Sequence, residues 1–226
     1  MTLACSVSEY NKSLNDLKIT KRKVLVWKNS IERIIYTKAP TEYTLKNQDY
    51  ICAIGRPSFQ KNTLLLIKSI LVAKKDLPNI QLVILGVGFY SPDKEVIEIF
   101  IKKYNLEKNI TLIPWLKREE SLHLLKNSKF LVSTSRYEGL PYSVIEAFAL
   151  SKPCLLSNVD GHRDIIINNY NGFLAQENSK DISKKIIIML KNKALLKEMS
   201  FNSRTFFEEF FLIEKNIKKL ENIYLQ

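Results

Sequence analysis

Along most of the chain, short apolar segments are followed by longer amphipathic segments, which is the pattern of repeated βα units. From Asp49 onward, short and nearly continuous apolar runs are separated by longer stretches with apolar residues at spacings of three and four, which are typical of amphipathic helices. The apolar runs lack the alternation of a half-exposed strand, as expected for parallel strands covered on both faces. The pattern therefore predicts an α/β fold with a Rossmann-like parallel sheet and helices on both faces.

The apolar runs predict five strands, at residues 50–54, 81–85, 110–113, 130–133 and 153–156. The amphipathic stretches predict seven helices, at residues 62–74, 93–104, 119–125, 142–150, 180–191, 195–207 and 213–224. Residues 1–48 are polar and rich in Lys, with one short apolar run at 23–27 that predicts a strand and a loose stretch at 38–47. We therefore expect a short N-terminal appendage at 1–48, the remnant or linker of another domain, and a main domain at 49–226.

Composition excludes several classes of protein. The chain has 226 residues, of which 46% are hydrophobic and 26% charged, as in an ordinary globular protein rather than a disordered or disulfide-rich one. Its three Cys are far apart and flanked by apolar residues, which favours reduced thiols over a metal site. No apolar run reaches the length of a membrane span, and residues 1–7 lack the features of a signal peptide. We expect a cytoplasmic protein.

The net charge of +12 should attract phosphates, nucleic acid or an anionic membrane surface. The basic residues are mostly Lys scattered along helices, whereas base reading favours Arg. We therefore expect no specific nucleic-acid binding.

Polar side chains collect where the predicted strands end, at residues 55–62, 86–90, 114–117 and 133–146. This edge of a parallel sheet is where ligands bind, because helix N-termini point free N–H groups at it. Gly55 and Gly86 directly follow strands, where a tight turn favours a residue without Cβ. Arg56 and Lys61 flank one short loop and could face a single anionic group; the alternative is that both are solvated loop charges.

The segment STSRYEGLPYSVIEAFALSKP, residues 133–153, places Glu138 in a loop and Glu146 in the helix that begins near Pro141. Gly139 lets the backbone approach a ligand closely. A carboxylate accepts two hydrogen bonds from a vicinal diol, so hydroxyls on the carboxylates and phosphate on the cations together describe a nucleotide sugar. The alternative is a capping Glu and a surface Glu.

Four motifs in order, AIGRPSFQKN, LVILGVG, SRYEGLPYSVIEAFALSKPCLLSNVDG and GHRDIIINNYNGFL, resemble the C-terminal half of family 4 retaining glycosyltransferases of GT-B fold. The resemblance covers residues 50–225 and includes the family's pair of Glu eight residues apart. It implies the donor-binding half of an enzyme that transfers a sugar from a nucleoside-diphosphate sugar in cell-surface polysaccharide or glycolipid assembly, with neither metal nor cofactor. The alternative is a truncated, non-catalytic module that binds nucleotide sugars or another protein.

The resemblance also implies a role for each site residue. Arg56, Lys61 and Glu138 are the expected catalytic residues, with the cations on the leaving diphosphate and Glu138 beside the donor sugar. Glu146 is expected to hold the ribose hydroxyls, and Trp115 lies in the stretch that contacts the base, although a Trp considered by itself is more often a packing residue. The remaining expected donor-binding residues are Gly55, Gly86, Gly139, Leu140 and Pro141, the last standing where the family often has Gly.

Family members carry about as much sequence again before this half, forming the domain that binds the acceptor. We therefore expect a partner chain that supplies the acceptor half. The basic amphipathic helix at 206–220 is a second expected contact surface, for that partner or for the inner face of a membrane.

Overall fold

The computed structural model describes residues 2–21, 24–35, 45 and 49–225. Its elements, in chain order, are β1 (Thr2–Ala4), α1 (Val7–Asn15), β2 (Val24–Val26), β3 (Ile51–Ile54), α2 (Thr63–Ala73), β4 (Leu82–Leu85), α3 (Lys94–Lys103), β5 (Ile110–Ile113), α4 (Arg118–Asn127), β6 (Leu131–Ser133), α5 (Tyr142–Ala149), β7 (Cys154–Ser157), α6 (Asp160–Arg163), β8 (Gly172–Ala175), α7 (Ser179–Lys191), α8 (Lys193–Phe210) and α9 (Ile213–Tyr224).

Six parallel strands form the central sheet in the order β5-β4-β3-β6-β7-β8. The chain moves outward from β3 to β5 and then returns to the other side of β3, where Cys52 is paired with Leu131 of β6. The connections that follow β3 and β6 therefore leave in opposite directions. Such a reversal opens a crevice at the carboxyl ends of the strands, which is where α/β proteins bind ligands.

Each face of the sheet carries its own apolar core. On one face α2, α3 and α7 bury side chains such as Ile67, Ile97 and Ile186. On the other face α4, α5 and the end of α8 bury Leu125, Phe148 and Phe207. The predicted α/β fold with helices on both faces is confirmed.

The five predicted strands and seven predicted helices are all present within a few residues of their expected bounds. Strand β8 was not among them, because its four residues begin with Gly172 and follow a polar turn that gives no periodic signal. None of the helices among the described residues is long and apolar enough to cross a bilayer.

The N-terminal segment has more structure than the sequence predicts. The expected strand at 23–27 is found as β2, but β1, which pairs with it in parallel, and α1 were missed. An apolar run of three residues and a polar helix are both weak signals. The segment is docked on the main domain, since Asn29 Nδ2 donates to the Leu140 carbonyl oxygen at 2.7 Å and Lys12 pairs with Asp160 at 2.6 Å. Of the predicted loose stretch at 38–47, all but residue 45 lies outside the described residues.

Candidate functional site

A cleft of about 530 Å³ opens at the carboxyl edge of the sheet, between the loops that follow β3, β5 and β6. Eight of the ten site residues expected from the sequence line it: Gly55, Arg56, Lys61, Trp115, Glu138, Gly139, Leu140 and Pro141. Tyr142 and Ser143, which the sequence did not single out, complete the wall at the start of α5. Gly55 and Ser143, which are 88 positions apart in sequence, are thus brought to one site by the order of the strands.

The two expected cations are in different electrostatic environments. Lys61 Nζ donates to Glu138 Oε1 at 2.7 Å, and these side chains are only 26% and 10% exposed. Arg56 is exposed and forms no ion pair with any described residue. The charge of Lys61 is therefore compensated inside the protein, while that of Arg56 is available to an anion entering the cleft.

Hydrogen bonds tie the Lys61 loop to the Glu138 loop. Thr134 Oγ1 donates to the carbonyl oxygens of Lys61 and Asn62 at 3.1 and 3.0 Å. Arg136 N donates to the carbonyl oxygen of Gln60 at 2.8 Å. Because these bonds involve backbone groups on both loops, the positions of Lys61 and Glu138 are set before any ligand binds.

Two glycines shape the floor of the cleft. Gly55 and Gly86 have φ of 138° and 92°, a conformation that side chains with a Cβ rarely adopt. Gly86 does not line the cleft, and a Cβ on it would make only an ordinary contact, 3.5 Å from the carbonyl carbon of Gly55. Its positive φ, rather than crowding, is therefore what favours Gly at this position, in the turn that lies behind Gly55 and Arg56.

The start of α5 offers hydrogen-bond donors to the cleft. Pro141 is the N-cap residue, with extended backbone angles, and the helix begins at Tyr142. The first N–H groups of a helix have no partner within it and carry the positive end of its dipole. Since Pro141, Tyr142 and Ser143 line the cleft, this positive end adds to the charge of Arg56.

Glu146 lies one turn further along α5 and pairs with a residue that the sequence analysis missed. Arg118, the first residue of α4, donates to Glu146 Oε1 from Nε at 3.0 Å and from Nη2 at 2.8 Å. The Glu146 side chain is 18% exposed and that of Arg118 is 61% exposed. The only available sequence signal for Arg118 was its position at the end of the loop that follows β5.

The Gly139 loop is packed between the N-terminal segment and α6. A Cβ on Gly139 would lie 2.6 Å from Glu9 Oε1, and one on Gly161 would overlap the carbonyl oxygen of Gly139. Glu9 Oε2 in turn accepts from Cys5 N at 2.9 Å. Neither Glu9 nor Gly161 was singled out from the sequence, because both act through residues far away in the chain.

His162 is fully buried in the short helix α6. Its Nδ1 lies 2.9 Å from the carbonyl oxygen of Ser157 and therefore carries the proton. Burial lowers the pKa of His162 to about 4, although the Ser157 hydrogen bond opposes this shift. The side chain is neutral at physiological pH and packs behind the Glu138 loop, since Gly161 N donates to the Glu138 carbonyl oxygen at 3.3 Å.

Trp115 is 64% exposed at the mouth of the cleft, so it is not part of the apolar core. Other aromatic side chains on the loops and helix start at this edge are also more than half exposed: Phe59, Phe89, Tyr90, Tyr137 and Tyr142. The described residues contain no cluster of three His, Cys, Asp or Glu side chains that could hold a metal.

Residues 37–206 match the model of the family described as glycosyl transferases group 1. The chain belongs to this family. A relative from Escherichia coli, named UDP-Gal:alpha-D-GlcNAc-diphosphoundecaprenol alpha-1,3-galactosyltransferase, is 26% identical over 94% of this chain and 56% of its own length. A Staphylococcus aureus poly(ribitol-phosphate) alpha-N-acetylglucosaminyltransferase is 31% identical over 68% of this chain and 30% of its own.

Among solved structures, a mutant of S. aureus TarM in complex with fondaparinux, alpha-GlcNAc-glycerol and UDP superposes with a TM-score of 0.84 at 25% identity. The match covers 99% of this chain and 43% of TarM. The structural neighbours are glycosyltransferases of GT-B fold, which agrees with the fold expected from the sequence. The chain spans about half the length of the relatives that it matches.

Proposed function

We propose that this chain is the donor-binding half of a retaining, metal-independent glycosyltransferase that takes its sugar from a nucleoside diphosphate. The observation that carries the proposal is the composition of the cleft wall. One continuous surface combines an uncompensated cation, a Lys–Glu ion pair, a helix N-terminus and an exposed Trp. The cation, the Lys and the helix N-terminus suit the diphosphate, the Glu suits the sugar hydroxyls, and the Trp suits a flat base.

The proposed chemistry follows from where charge develops. When the bond between the anomeric carbon and the diphosphate breaks, negative charge grows on the leaving phosphate oxygens. Arg56, Lys61 and the N-terminal N–H groups of α5 would stabilise that charge more in the transition state than in the ground state. Their combined charge takes the place that a divalent metal fills in other enzymes.

Glu138 and Glu146 are assigned to different parts of the donor. Glu138 is in the cleft beside Gly139 and would accept hydrogen bonds from hydroxyls of the transferred sugar. Glu146 is one helical turn away, paired with Arg118, and would accept hydrogen bonds from the ribose hydroxyls. The names of the E. coli relative and of the TarM complex, which include UDP-Gal and UDP, support a uridine nucleotide.

The acceptor, the partner and the location are further parts of the proposal. The relatives are named for acceptors of cell-surface polymers and lipid-linked sugars, which supports a role in polysaccharide or glycolipid assembly. We assign the acceptor half to a partner chain, and we place the protein in the cytoplasm with peripheral contact at the inner face of the membrane. The single amphipathic helix expected at 206–220 is wrong: the segment is divided between the end of α8 and the start of α9, and Phe206, Phe207 and Phe211 are buried in the core. We therefore assign the membrane contact to α9, where Lys215 and Lys218 lie beside the partly exposed Ile217.

Isothermal titration with UDP, GDP and ADP, followed by their sugars, tests the proposal. A ligand at 100 times its Kd should raise the free energy of unfolding by about 2.7 kcal/mol, which thermal shift detects independently. The double variant Arg56→Met, Lys61→Met should lose binding. The double variant Lys68→Met, Lys102→Met, which removes two exposed charges from α2 and α3 away from the cleft, is the matched control. Absence of binding by all three nucleotides would refute the proposal.

A measurement of donor turnover distinguishes the enzyme from the alternative, a non-catalytic binding module. An enzyme half should release nucleotide from its donor slowly in water, and faster once an acceptor-binding partner is added. A binding module should hold the nucleotide sugar intact under both conditions.

A further inference from the structure

We propose that Arg118 is a positioning residue that makes the site selective for ribonucleotides, by holding Glu146 with one carboxylate oxygen free for the ribose. This inference rests on the proposed function, because it takes the assignment of Glu146 to the ribose as given. It concerns a residue that no motif of the sequence identified.

The geometry of the pair is the first argument. Both hydrogen bonds from the Arg118 guanidinium go to the same oxygen, Oε1 of Glu146. Glu146 Oε2 accepts no hydrogen bond from any described residue. A carboxylate gripped in this way cannot rotate freely, and it presents a fixed acceptor to a ligand. Two hydroxyls on adjacent carbons can share such an oxygen or bridge to its neighbour.

The position of Arg118 on its own helix is the second argument. A cation in the first turn of a helix is disfavoured by the helix dipole, and the two following residues, Glu119 and Glu120, have the sign that the first turn prefers. Arg118 therefore contradicts the local rule. A local rule is broken where another interaction compensates for it, and the contact with Glu146 is the one that the structure provides.

A hydrogen bond across the first turn fixes the start of α4, and with it the backbone position of Arg118. Lys117 N donates to Glu120 Oε2 at 3.0 Å across the first turn. The same short loop carries Trp115, which is exposed at the mouth of the cleft. The loop after β5 thus delivers the group assigned to the base and the group that orients the ribose acceptor, which couples recognition of the two halves of a nucleoside.

The test compares UDP with 2′,3′-dideoxyuridine diphosphate by isothermal titration. The wild-type protein should bind UDP about tenfold more tightly than the dideoxy compound, since one charged hydrogen bond is at stake. Arg118→Met should lower the affinity for UDP by about the same factor and leave the affinity for the dideoxy compound unchanged. Arg118→Lys should recover part of the difference. Lys117→Met, which removes the neighbouring charge, should behave as wild type.

A double variant separates positioning from direct contact. Adding Arg118→Met to Glu146→Ala should cause no further loss of UDP affinity if Arg118 acts only through Glu146. An equal loss for both nucleotides in Arg118→Met would mean that Arg118 touches base or phosphate, and unchanged or tighter UDP binding would mean that it does not orient Glu146; each outcome overturns the inference. Wild-type protein that binds no nucleotide would instead refute the proposed function and this inference with it.

Discussion

Lys61 Nζ and Glu138 Oε1 lie 2.7 Å apart in the wall of the cleft, with both side chains largely removed from solvent. The cation assigned to phosphate and the carboxylate assigned to the sugar thus neutralise each other before a donor arrives. Donor binding must satisfy both at once, because a phosphate that attracts Lys61 also weakens its hold on Glu138. The pair therefore links the two sides of the bond that breaks.

Replacing Glu138 by Gln should change the affinities for free nucleotide and for nucleotide sugar in opposite directions. Without the carboxylate, the charge of Lys61 is uncompensated, so UDP should bind more tightly by about 0.5 to 1 kcal/mol. A UDP-sugar should lose a charged hydrogen bond worth about 1.5 to 3 kcal/mol and bind more weakly. Calorimetry with both ligands checks this, and weaker binding of free UDP would show that Glu138 does not restrain Lys61.

The substitution Arg56→Met should weaken the binding of UDP by about 1.5 to 3 kcal/mol, the range for a hydrogen bond to a charged group. Because Arg56 has no carboxylate partner among the described residues, nothing offsets the loss. The effect should shrink as salt is raised, since the side chain is exposed and screening is strong there. Arg56→Met measured at two salt concentrations, with Lys68→Met as the control of equal charge, tests this assignment.

Binding of UDP should be insensitive to a chelator. The positive charge facing the diphosphate comes from Arg56, Lys61 and the start of α5, none of which depends on a metal. Titration in the presence of EDTA should give the same affinity as titration with added Mg²⁺. Loss of binding on chelation would place a metal between the protein and the phosphates, and would remove the role proposed for the two cations.

The sequence was sufficient for features carried by local pattern. The strands and helices of the main domain follow from hydrophobic periodicity, and the edge where the site lies follows from the parallel order of the strands. Two contacts within the site could not be predicted. Glu9 meets the Gly139 loop across 130 positions, and Arg118 meets Glu146 across 28, so both depend on how distant elements pack. The polar helix α1 was missed because its stability comes from docking on α6 rather than from an apolar face of its own.

Gly161→Ala should destabilise the protein and disturb the site together. A Cβ at this position would overlap the carbonyl oxygen of Gly139, and neither backbone can move freely because α6 and the Gly139 loop are packed against each other. Overpacking of this kind costs about 1 to 3 kcal/mol. Denaturant unfolding should show the lower free energy of unfolding of Gly161→Ala. Titration with UDP should show that the folded variant binds UDP more weakly than the wild-type protein does.

Gly88→Ala is the matched control for that experiment. A Cβ on Gly88 would lie 2.9 Å from Trp115 Cδ1, a distance so short that one of the two groups must move. Trp115 is exposed, however, and its side chain can turn away into solvent. The free energy of unfolding should therefore change little, and a loss equal to that of Gly161→Ala would mean that both values reflect general sensitivity to substitution.

The stability of the protein should depend on His162 between about pH 6.5 and pH 4. Burial lowers the pKa of His162 from 6.5 to about 4 in the folded state, so in this range the unfolded chain binds a proton that the folded chain does not. The free energy of unfolding must then fall as the pH falls, by about 3 kcal/mol across the window, and must be independent of His162 above it. Carboxylates titrate in the same range, so the measured quantity is the difference between wild type and His162→Asn, whose amide nitrogen takes the place of Nδ1 and can still donate to the Ser157 carbonyl oxygen. If His162→Asn does not fold, the NMR titration of the His162 ring in the wild-type protein decides the question. A midpoint near 6.5 would show that water reaches the ring and that the assignment of His162 as buried and neutral is wrong.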